Sequence, residues 1–218
     1  MTPKSARRRE GGVAGPAVGW VLVAALINLP VAVAGQPGAM APDHGADHHH
    51  HPMPAGVQRS EASYPIPDVT LLDQSGRQVD LRQLLAADKP VLVNFVYTTC
   101  TAICPVMTAT FAQVQQRLGA DAEKVMMVSF SIDPEQDTPA ALAVYAQRFH
   151  AGPQWLFLTG SLEDSIAVQK AFDAYRGDKM NHVPLTFLRA ARDGQWVRVD
   201  GFASADDLVK EARTRMRH

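Results

Sequence analysis

The chain has 218 residues, of which 46% are hydrophobic and 20% are charged. This is an ordinary globular composition, and the length fits one folded domain with extensions. The formal net charge is −1 at pH 7, with a basic cluster between Lys4 and Arg9 that leaves the rest of the chain mildly acidic. We therefore expect no nucleic-acid partner. The only two cysteines, Cys100 and Cys104, are too few for a disulfide-stapled scaffold.

The first 34 residues have the pattern of an export signal. An uncharged, apolar segment follows the basic cluster and ends at Ala32-Val33-Ala34, which is typical of a signal peptide with a small-residue cleavage site. An uncleaved membrane anchor is the alternative, because about 20 apolar residues are enough to span a bilayer. In both cases positive charge stays in the cytoplasm. The remainder is then extracytoplasmic, either secreted or anchored, on the periplasmic side of the inner membrane.

Residues 35–63 lack a hydrophobic period and are rich in Gly, Pro, Ala, Asp and His, which predicts a flexible linker. The tract His48–His51 lies inside it, close to Met40 and Met53. Imidazole and thioether groups bind copper, and imidazole also binds zinc and nickel. Metal capture and low-complexity drift are both open interpretations of this tract.

Residues 64–218 are long enough for one well-buried core. The predicted strands are Val69–Val79 as a hairpin, Val91–Tyr97, Val125–Ile132, Trp155–Leu158, and a closing hairpin of Leu185–Leu188 with Val197–Val199. The predicted helices are Leu81–Ala87, one ending near Leu118, Ala140–Phe149, Leu162–Tyr175, and one from Ser204 to about Arg215. Alternating strands and helices predict an α/β domain, in which a central mixed sheet is flanked by helices and carries an extra N-terminal hairpin.

Cys100 and Cys104 lie between a predicted buried strand and the start of a helix. Residues i and i+4 of a helix share one face, with Cβ atoms roughly 5–6 Å apart. Unpaired amides at a helix N-terminus favour thiolates, which are better nucleophiles and better metal ligands. A permanent disulfide would close only a short loop and stabilise little. Since the thioredoxin-type redox motif has two intervening residues and this one has three, spacing leaves metal binding and redox exchange both open.

Three motifs in order resemble the Sco family of copper proteins: Asn94 to Pro105, Asp133 to Pro139, and Asn181-His182. The resemblance covers residues 64–218. It implies a thioredoxin-like fold, an extracytoplasmic location and copper delivery to the binuclear site of cytochrome c oxidase. The implied metal ligands are Cys100, Cys104 and His182, a soft set suited to Cu(I).

The chain departs from the family pattern at two positions. Thr101 stands where the family usually has proline, and Ala102 stands where an acidic residue often follows. Both changes should alter the rigidity and charge of the loop, and with them copper affinity and redox potential. We also predict that Asp133 shapes a turn and that Asp137 orients the loop near the copper site.

The Val183-Pro184 bond is a further point of comparison. Pro184 at a strand start resembles the cis-proline that faces the cysteines of thioredoxin-like redox enzymes. We therefore hypothesise that this bond is cis. A cis bond would support the interpretation of the cysteine pair as a thiol-exchange site. Tyr97, Trp155 and Phe187 are predicted to be core or pocket wall.

The leading interpretation is a metallochaperone rather than an enzyme. Its implied partners are the copper-accepting subunit of cytochrome c oxidase, an extracytoplasmic thiol reductase that keeps the cysteines reduced, and other copper chaperones. The alternative is a thiol–disulfide oxidoreductase that keeps the oxidase's own cysteines reduced, with Cys100 attacking and Cys104 resolving the mixed disulfide. A peroxidase of the peroxiredoxin type is disfavoured, because the segment lacks the single-cysteine pattern.

Overall fold

The structure is a computed structural model that describes residues 56–190 and 195–216. The predicted signal peptide or anchor and most of the predicted linker, including His48–His51, lie outside the described residues. In the part of the chain that the structure describes, none of the helices combines the length and the hydropathy that a membrane crossing requires.

Eight strands form a single mixed sheet in the order β1-β8-β7-β4-β5-β6-β2-β3. The three central strands β4, β5 and β6 are parallel, and every other pairing is antiparallel. The strand bounds are β1 Gln58–Ala62, β2 Thr70–Asp73, β3 Gln78–Asp80, β4 Val91–Val96, β5 Met126–Ser131, β6 Trp155–Thr159, β7 Leu185–Arg189 and β8 Trp196–Asp200. The predicted α/β class, the central mixed sheet and the extra hairpin, formed by β2 and β3, are confirmed.

Helices cover both faces of this sheet. Their bounds are α1 Leu81–Leu85, α2 Ile103–Leu118, α3 Pro139–Arg148, α4 Leu162–Ala171 and α5 Ala205–Arg215. One hydrophobic cluster holds α2, α3 and α5 against the sheet, and a second cluster holds α1 and α4 against it. Residues of β4 enter both clusters, with Leu92 in the first and Val91, Val93, Phe95 and Val96 in the second. This two-sided burial explains why β4 is a nearly continuous apolar run in the sequence.

Two expectations from the sequence are wrong at element boundaries. Residues 58–62, predicted as flexible linker, form β1, which pairs antiparallel with β8 along its whole length. Because these residues are largely exposed, they show no hydrophobic period. Backbone pairing with β8 holds them in the sheet, together with a hydrogen bond from Arg59 to Glu211 of α5 at 3.0 Å. Helix α4 stops at Ala171 instead of Tyr175. Asp173 adopts a left-handed conformation with φ 49°, and the amides of Asp173 and Ala174 donate to the carbonyls of Lys170 and Gln169, the bonds of a Schellman motif.

The early end of α4 places Phe172 in an aromatic cluster under the sheet. Its ring is fully buried, and its centroid lies 5.2 Å from those of Tyr64 and Phe187 and 5.1 Å from that of Trp196. Such pairs add about 0.5–1.5 kcal/mol each beyond the area that they bury. Phe172 therefore joins α4, β7, β8 and the segment before β2 into one packing unit.

We predict that Phe172→Ala lowers the free energy of unfolding by about 3–5 kcal/mol, because it leaves a cavity where several rings meet. Urea unfolding followed by circular dichroism measures the change. Val144→Ala, at an exposed position of α3, is the matched control and should change stability by less than about 0.5 kcal/mol. A loss for Phe172→Ala no larger than that of the control would contradict the role given to this ring.

Candidate functional site

The sheet topology brings three chain segments to one edge of the sheet. The segments after β4 and β5 meet there because parallel strands end at the same edge, where α/β proteins commonly bind ligands. The segment before β7 joins them because β7 runs antiparallel to β4, with Thr186 opposite Asn94. The loop with Cys100, the turn with Asp133 and Asp137, and the segment with His182 are therefore neighbours in space although they lie far apart in the sequence.

The loop after β4 is tied down by a buried carboxylate. Asp137 is fully buried, and its Oδ1 accepts hydrogen bonds from the Thr98 amide at 3.0 Å and the Thr98 hydroxyl at 2.6 Å. Its Oδ2 accepts from the Ser131 hydroxyl at 2.6 Å. Hydrogen bonds to a charged group are about twice as strong as neutral ones. Asp137 thus fixes the backbone two residues before Cys100, and the predicted role of this residue is confirmed.

Asp133 also acts as predicted, and it has an additional partner. Its carbonyl accepts hydrogen bonds from the amides of Gln136 and Asp137, which closes the turn after β5. Its carboxylate forms an ion pair with Lys179 at 2.5 Å, and the Lys179 ammonium lies 5.7 Å from the centroid of the Tyr97 ring. The turn after β5 is therefore connected to the segment that leads to His182.

Cys100 occupies the place of a helix cap. Ala102, the N-cap residue of α2, offers no side-chain acceptor, so the first amides of this helix need another partner. The Cys104 amide donates to the Cys100 Sγ at 3.3 Å. Burial alone would raise the pKa of Cys100, but donation from the amides of Cys104 and Ala102, and side-chain hydrogen bonds with Cys104 and Tyr97, outweigh it and lower that pKa. The partly exposed Cys100 is the thiol that ionises first.

Cys104 has the opposite environment. Its side chain is fully buried, and burial strongly raises the pKa of its thiol, which a hydrogen bond from the Tyr97 amide at 3.5 Å only partly offsets. Both cysteines are free thiols. The pair therefore consists of one accessible thiol that favours the thiolate and one buried thiol that favours the protonated form.

His182 lies beside the Tyr97 ring. It is 7% exposed, and its Nε2 is buried without a hydrogen-bond partner. Burial lowers the pKa of His182 to about 4, although a hydrogen bond to the backbone of Phe95 raises it. The ring is thus neutral at physiological pH and has a free ligand atom. Its centroid lies 6.4 Å from that of Tyr97 in an edge-on arrangement.

The structure brings the two cysteines into contact but does not join His182 to them. Among the residues that the structure describes, no three His, Cys, Asp or Glu side chains are grouped closely enough to hold a metal ion. Tyr97 lies next to each of the implied ligands: its amide donates to the Cys104 sulfur, its hydroxyl helps lower the pKa of Cys100, and its ring lies edge-on to the His182 ring. The three predicted ligands therefore each lie beside Tyr97 and do not converge on a single metal position.

Sequence reasoning did not identify Tyr97 as the centre of the site, since it was predicted only as core or pocket wall. It also missed Lys179 and Met180, which flank the Tyr97 ring and hydroxyl. Neither residue belongs to a motif or spacing pattern that would mark it as part of a functional site in the sequence. The Val183–Pro184 bond is trans, because the described residues contain no cis peptide bond. The cis hypothesis is wrong, and the support that it would have lent to thiol exchange is absent.

The opposite pKa shifts of the two thiols predict ordered alkylation of the reduced chain. Because the pKa of Cys100 is lowered, its thiolate fraction and its reaction rate with iodoacetamide should rise with pH through a midpoint below the ordinary value of about 8.5. Cys104 should stay unmodified until the protein unfolds. Mass spectrometry of peptides from samples quenched between pH 6 and 10 measures both. A midpoint for Cys100 at or above 8.5, or earlier modification of Cys104, would contradict the assignment.

Comparison with known proteins identifies the family. The profile of the SCO1/SenC family matches residues 58–217. The SCO1 protein homolog of Bacillus subtilis (strain 168) is 35% identical over 105 residues, which are 48% of this chain and 53% of that protein. The match spans between 31% and 53% of the length of curated relatives.

Solved structures give the same result. BsSco, a member of the Sco family of cytochrome c oxidase assembly proteins in which a disulfide switch was identified, has 28% identity and a TM-score of 0.61, covering 72% of this chain and 96% of that one. Bradyrhizobium japonicum ScoI, solved with copper bound, has 28% identity and a TM-score of 0.59, covering 71% of this chain and 99% of that one. The predicted thioredoxin-like fold is confirmed, and the chain belongs to the SCO1/SenC family.

Proposed function

We propose that this chain is an extracytoplasmic copper metallochaperone. It binds one copper ion through Cys100, Cys104 and His182 and delivers it to the binuclear copper site of cytochrome c oxidase. The observation that carries the proposal is the buried Nε2 of His182, which has no hydrogen-bond partner. A buried polar atom without a partner costs about 1–3 kcal/mol, and a metal ion that it ligates removes this cost.

The donor set fits copper better than zinc. Two thiolates and one imidazole are soft ligands that select Cu(I), whereas a structural zinc site requires four protein ligands. His182 is already in the neutral form that a metal needs, because burial lowers its pKa to about 4. The copper-bound relative from Bradyrhizobium japonicum, at 28% identity, supports the same cargo.

Under this proposal copper binding requires a rearrangement around Tyr97, because this residue lies next to the three implied ligands and the described residues hold no group of three such donors close enough to bind a metal ion. The cysteine loop moves while Asp137 holds its start at Thr98. Thr101 and Ala102 replace the proline and the acidic residue that are usual in the family, so this loop is less restricted in φ. Copper then draws Cys100, Cys104 and His182 together, and Cys104 releases its proton as the metal binds.

The proposed location and partners follow from this activity. Residues 1–34 serve as a signal peptide or a membrane anchor that places the domain on the periplasmic side of the inner membrane. The recipient is the copper-accepting subunit of the oxidase, and a thiol reductase supplies the reduced form of the cysteine pair. Other copper chaperones are candidate donors, and the His48–His51 tract is a candidate site for metal capture.

A second candidate function, thiol–disulfide reduction, is favoured by the opposite pKa shifts of the two thiols. Cys100 has a lowered pKa and is partly exposed, as an attacking thiol requires, and Cys104 is buried beside it, as a resolving thiol requires. In this reaction the Cys100 thiolate attacks the target disulfide, and Cys104 then displaces the target thiol as the Cys100–Cys104 disulfide forms. The target gains two electrons, and the chain loses them.

We predict that the reduced full-length chain retains one tightly held Cu(I) in competition with a chromophoric chelator, and that Cys100→Ser, Cys104→Ser and His182→Ala lose it. Removing a group that hydrogen-bonds to a metal ligand weakens metal affinity about 10–100-fold. Removing a ligand itself should therefore weaken copper affinity by more than this. His150→Ala, at an exposed histidine, is the matched control and should retain the copper. The same titration with His48–His51 replaced by Gln shows whether the linker holds copper of its own. Retention of tight copper by His182→Ala would contradict the ligand set.

His182→Ala also separates the two candidate functions. We predict that this variant loses tight copper but reduces a protein disulfide at nearly the wild-type rate, because imidazole has no part in the exchange between Cys100 and Cys104. Stopped-flow reduction of an oxidised protein substrate measures this rate. Rapid disulfide reduction by a wild-type chain that holds no tight copper would replace the metallochaperone by the reductase.

A further inference from the structure

Met180 is a soft donor at the entrance of the candidate site. Its thioether Sδ accepts a hydrogen bond from the Tyr97 hydroxyl at 3.8 Å, and the same hydroxyl lies close enough to the Cys100 thiol to help lower its pKa. The sulfurs of Met180 and Cys100 therefore both lie near the Tyr97 hydroxyl. The side chain of Met180 is 74% exposed, whereas Cys104 and His182 are buried.

The backbone of this segment is held in place, so the position of Met180 is defined. Residues Lys179–Asn181 form a 3-10 turn, in which the Asp178 carboxylate accepts from the Met180 amide at 2.8 Å. Lys179 is fixed by its ion pair with Asp133 and by its place over the Tyr97 ring. The methionine side chain itself, with three rotatable bonds, remains free to follow a metal ion.

From this geometry we infer that Met180 is the entry ligand for Cu(I), an inference that rests on the proposed function. Incoming copper meets the exposed donors first, and in this part of the chain these are the Met180 thioether and the Cys100 sulfur. Thioether and thiolate are both soft ligands that accept Cu(I). Met180 receives copper at the rim, and Cys100, Cys104 and His182 then bind it further inside.

The transfer balances without a redox step. A bond forms between copper and the Met180 Sδ as a bond between copper and the donor breaks, and copper stays in the Cu(I) state. The thioether carries no proton, so this step releases none. The bond to Met180 then gives way to bonds with the two thiolates and the His182 imidazole, and Cys104 passes its proton to solvent as it becomes a ligand. Met180 therefore speeds loading more than it strengthens final binding.

The test is the rate of copper loading. Full-length reduced chain with His48–His51 replaced by Gln is mixed with a chromophoric Cu(I) chelate, and loss of the chelate colour is followed by stopped flow. We expect Met180→Leu to slow copper uptake about tenfold, while one copper per chain still binds. Tenfold is the lower end of the roughly 10–100-fold losses that follow removal of a group that supports a metal ligand. Met126→Leu is the matched control and should load at the wild-type rate. Met126 is the first residue of β5, and the candidate site lies beyond the last residue of that strand.

A second readout distinguishes ligation from packing on Tyr97. In selenomethionine-labelled Cys104→Ser, the inner ligand set is incomplete, so copper should remain at the entrance and show selenium as a neighbour in copper-edge X-ray absorption. Adding Met180→Leu should remove that neighbour while the Tm is unchanged. Equal loading rates for wild type and Met180→Leu, with one copper bound in both, would overturn the inference and leave the proposed function standing. A wild-type chain that takes up no copper would overturn both.

Discussion

The candidate site depends on the two different pairings of strand β4. Parallel pairing with β5 aligns Val96 with Ser131, so the cysteine loop and the Asp133–Asp137 turn leave the sheet side by side. Antiparallel pairing with β7 places the start of β7 at the same edge, and His182 lies just before it. A slip of one residue in either pairing would turn every side chain of the strand to the other face. The Ser129 hydroxyl donates to the buried Asn94 side chain at 2.7 Å across the β4–β5 pairing, which opposes such a slip and so fixes the site.

Within this frame, polar interactions position the cysteines. The Asp137 carboxylate fixes Thr98 and Ser131, and the uncapped start of α2 places an amide of the helix on the Cys100 sulfur. The first interaction sets where the loop begins, and the second sets where it ends. Between them the Cys100 amide donates to the Tyr97 carbonyl at 3.2 Å. The cysteine loop is thus anchored at its start by Asp137 and at its end by the first turn of α2.

Tyr97 lies next to both thiols and the imidazole, and burial divides the site into two layers. The inner layer holds Cys104 and His182, both buried and both uncharged because burial opposes their charged forms. The outer layer holds Cys100, whose thiolate is favoured, and the exposed thioether of Met180. Under the proposed function, a metal ion passes from the outer layer to the inner one. The free energy of the final ligand bonds offsets the cost of moving Tyr97 and deprotonating Cys104.

The sequence determined the class of fold and the position of the cysteine pair at a helix start, because these rest on local patterns. Continuous apolar runs predict the central strands, and the spacing of Cys100 and Cys104 after β4 places them at a helix start. Family motifs, not spacing, pointed to His182. The tertiary structure alone decided what lies between these groups, because strand order and register place Tyr97, Lys179 and Met180 together from distant segments. It also decided two boundaries: the exposed strand β1 is held by backbone pairing, and α4 ends where Asp173 adopts a left-handed conformation. Neither feature leaves a hydrophobic period that a sequence can reveal.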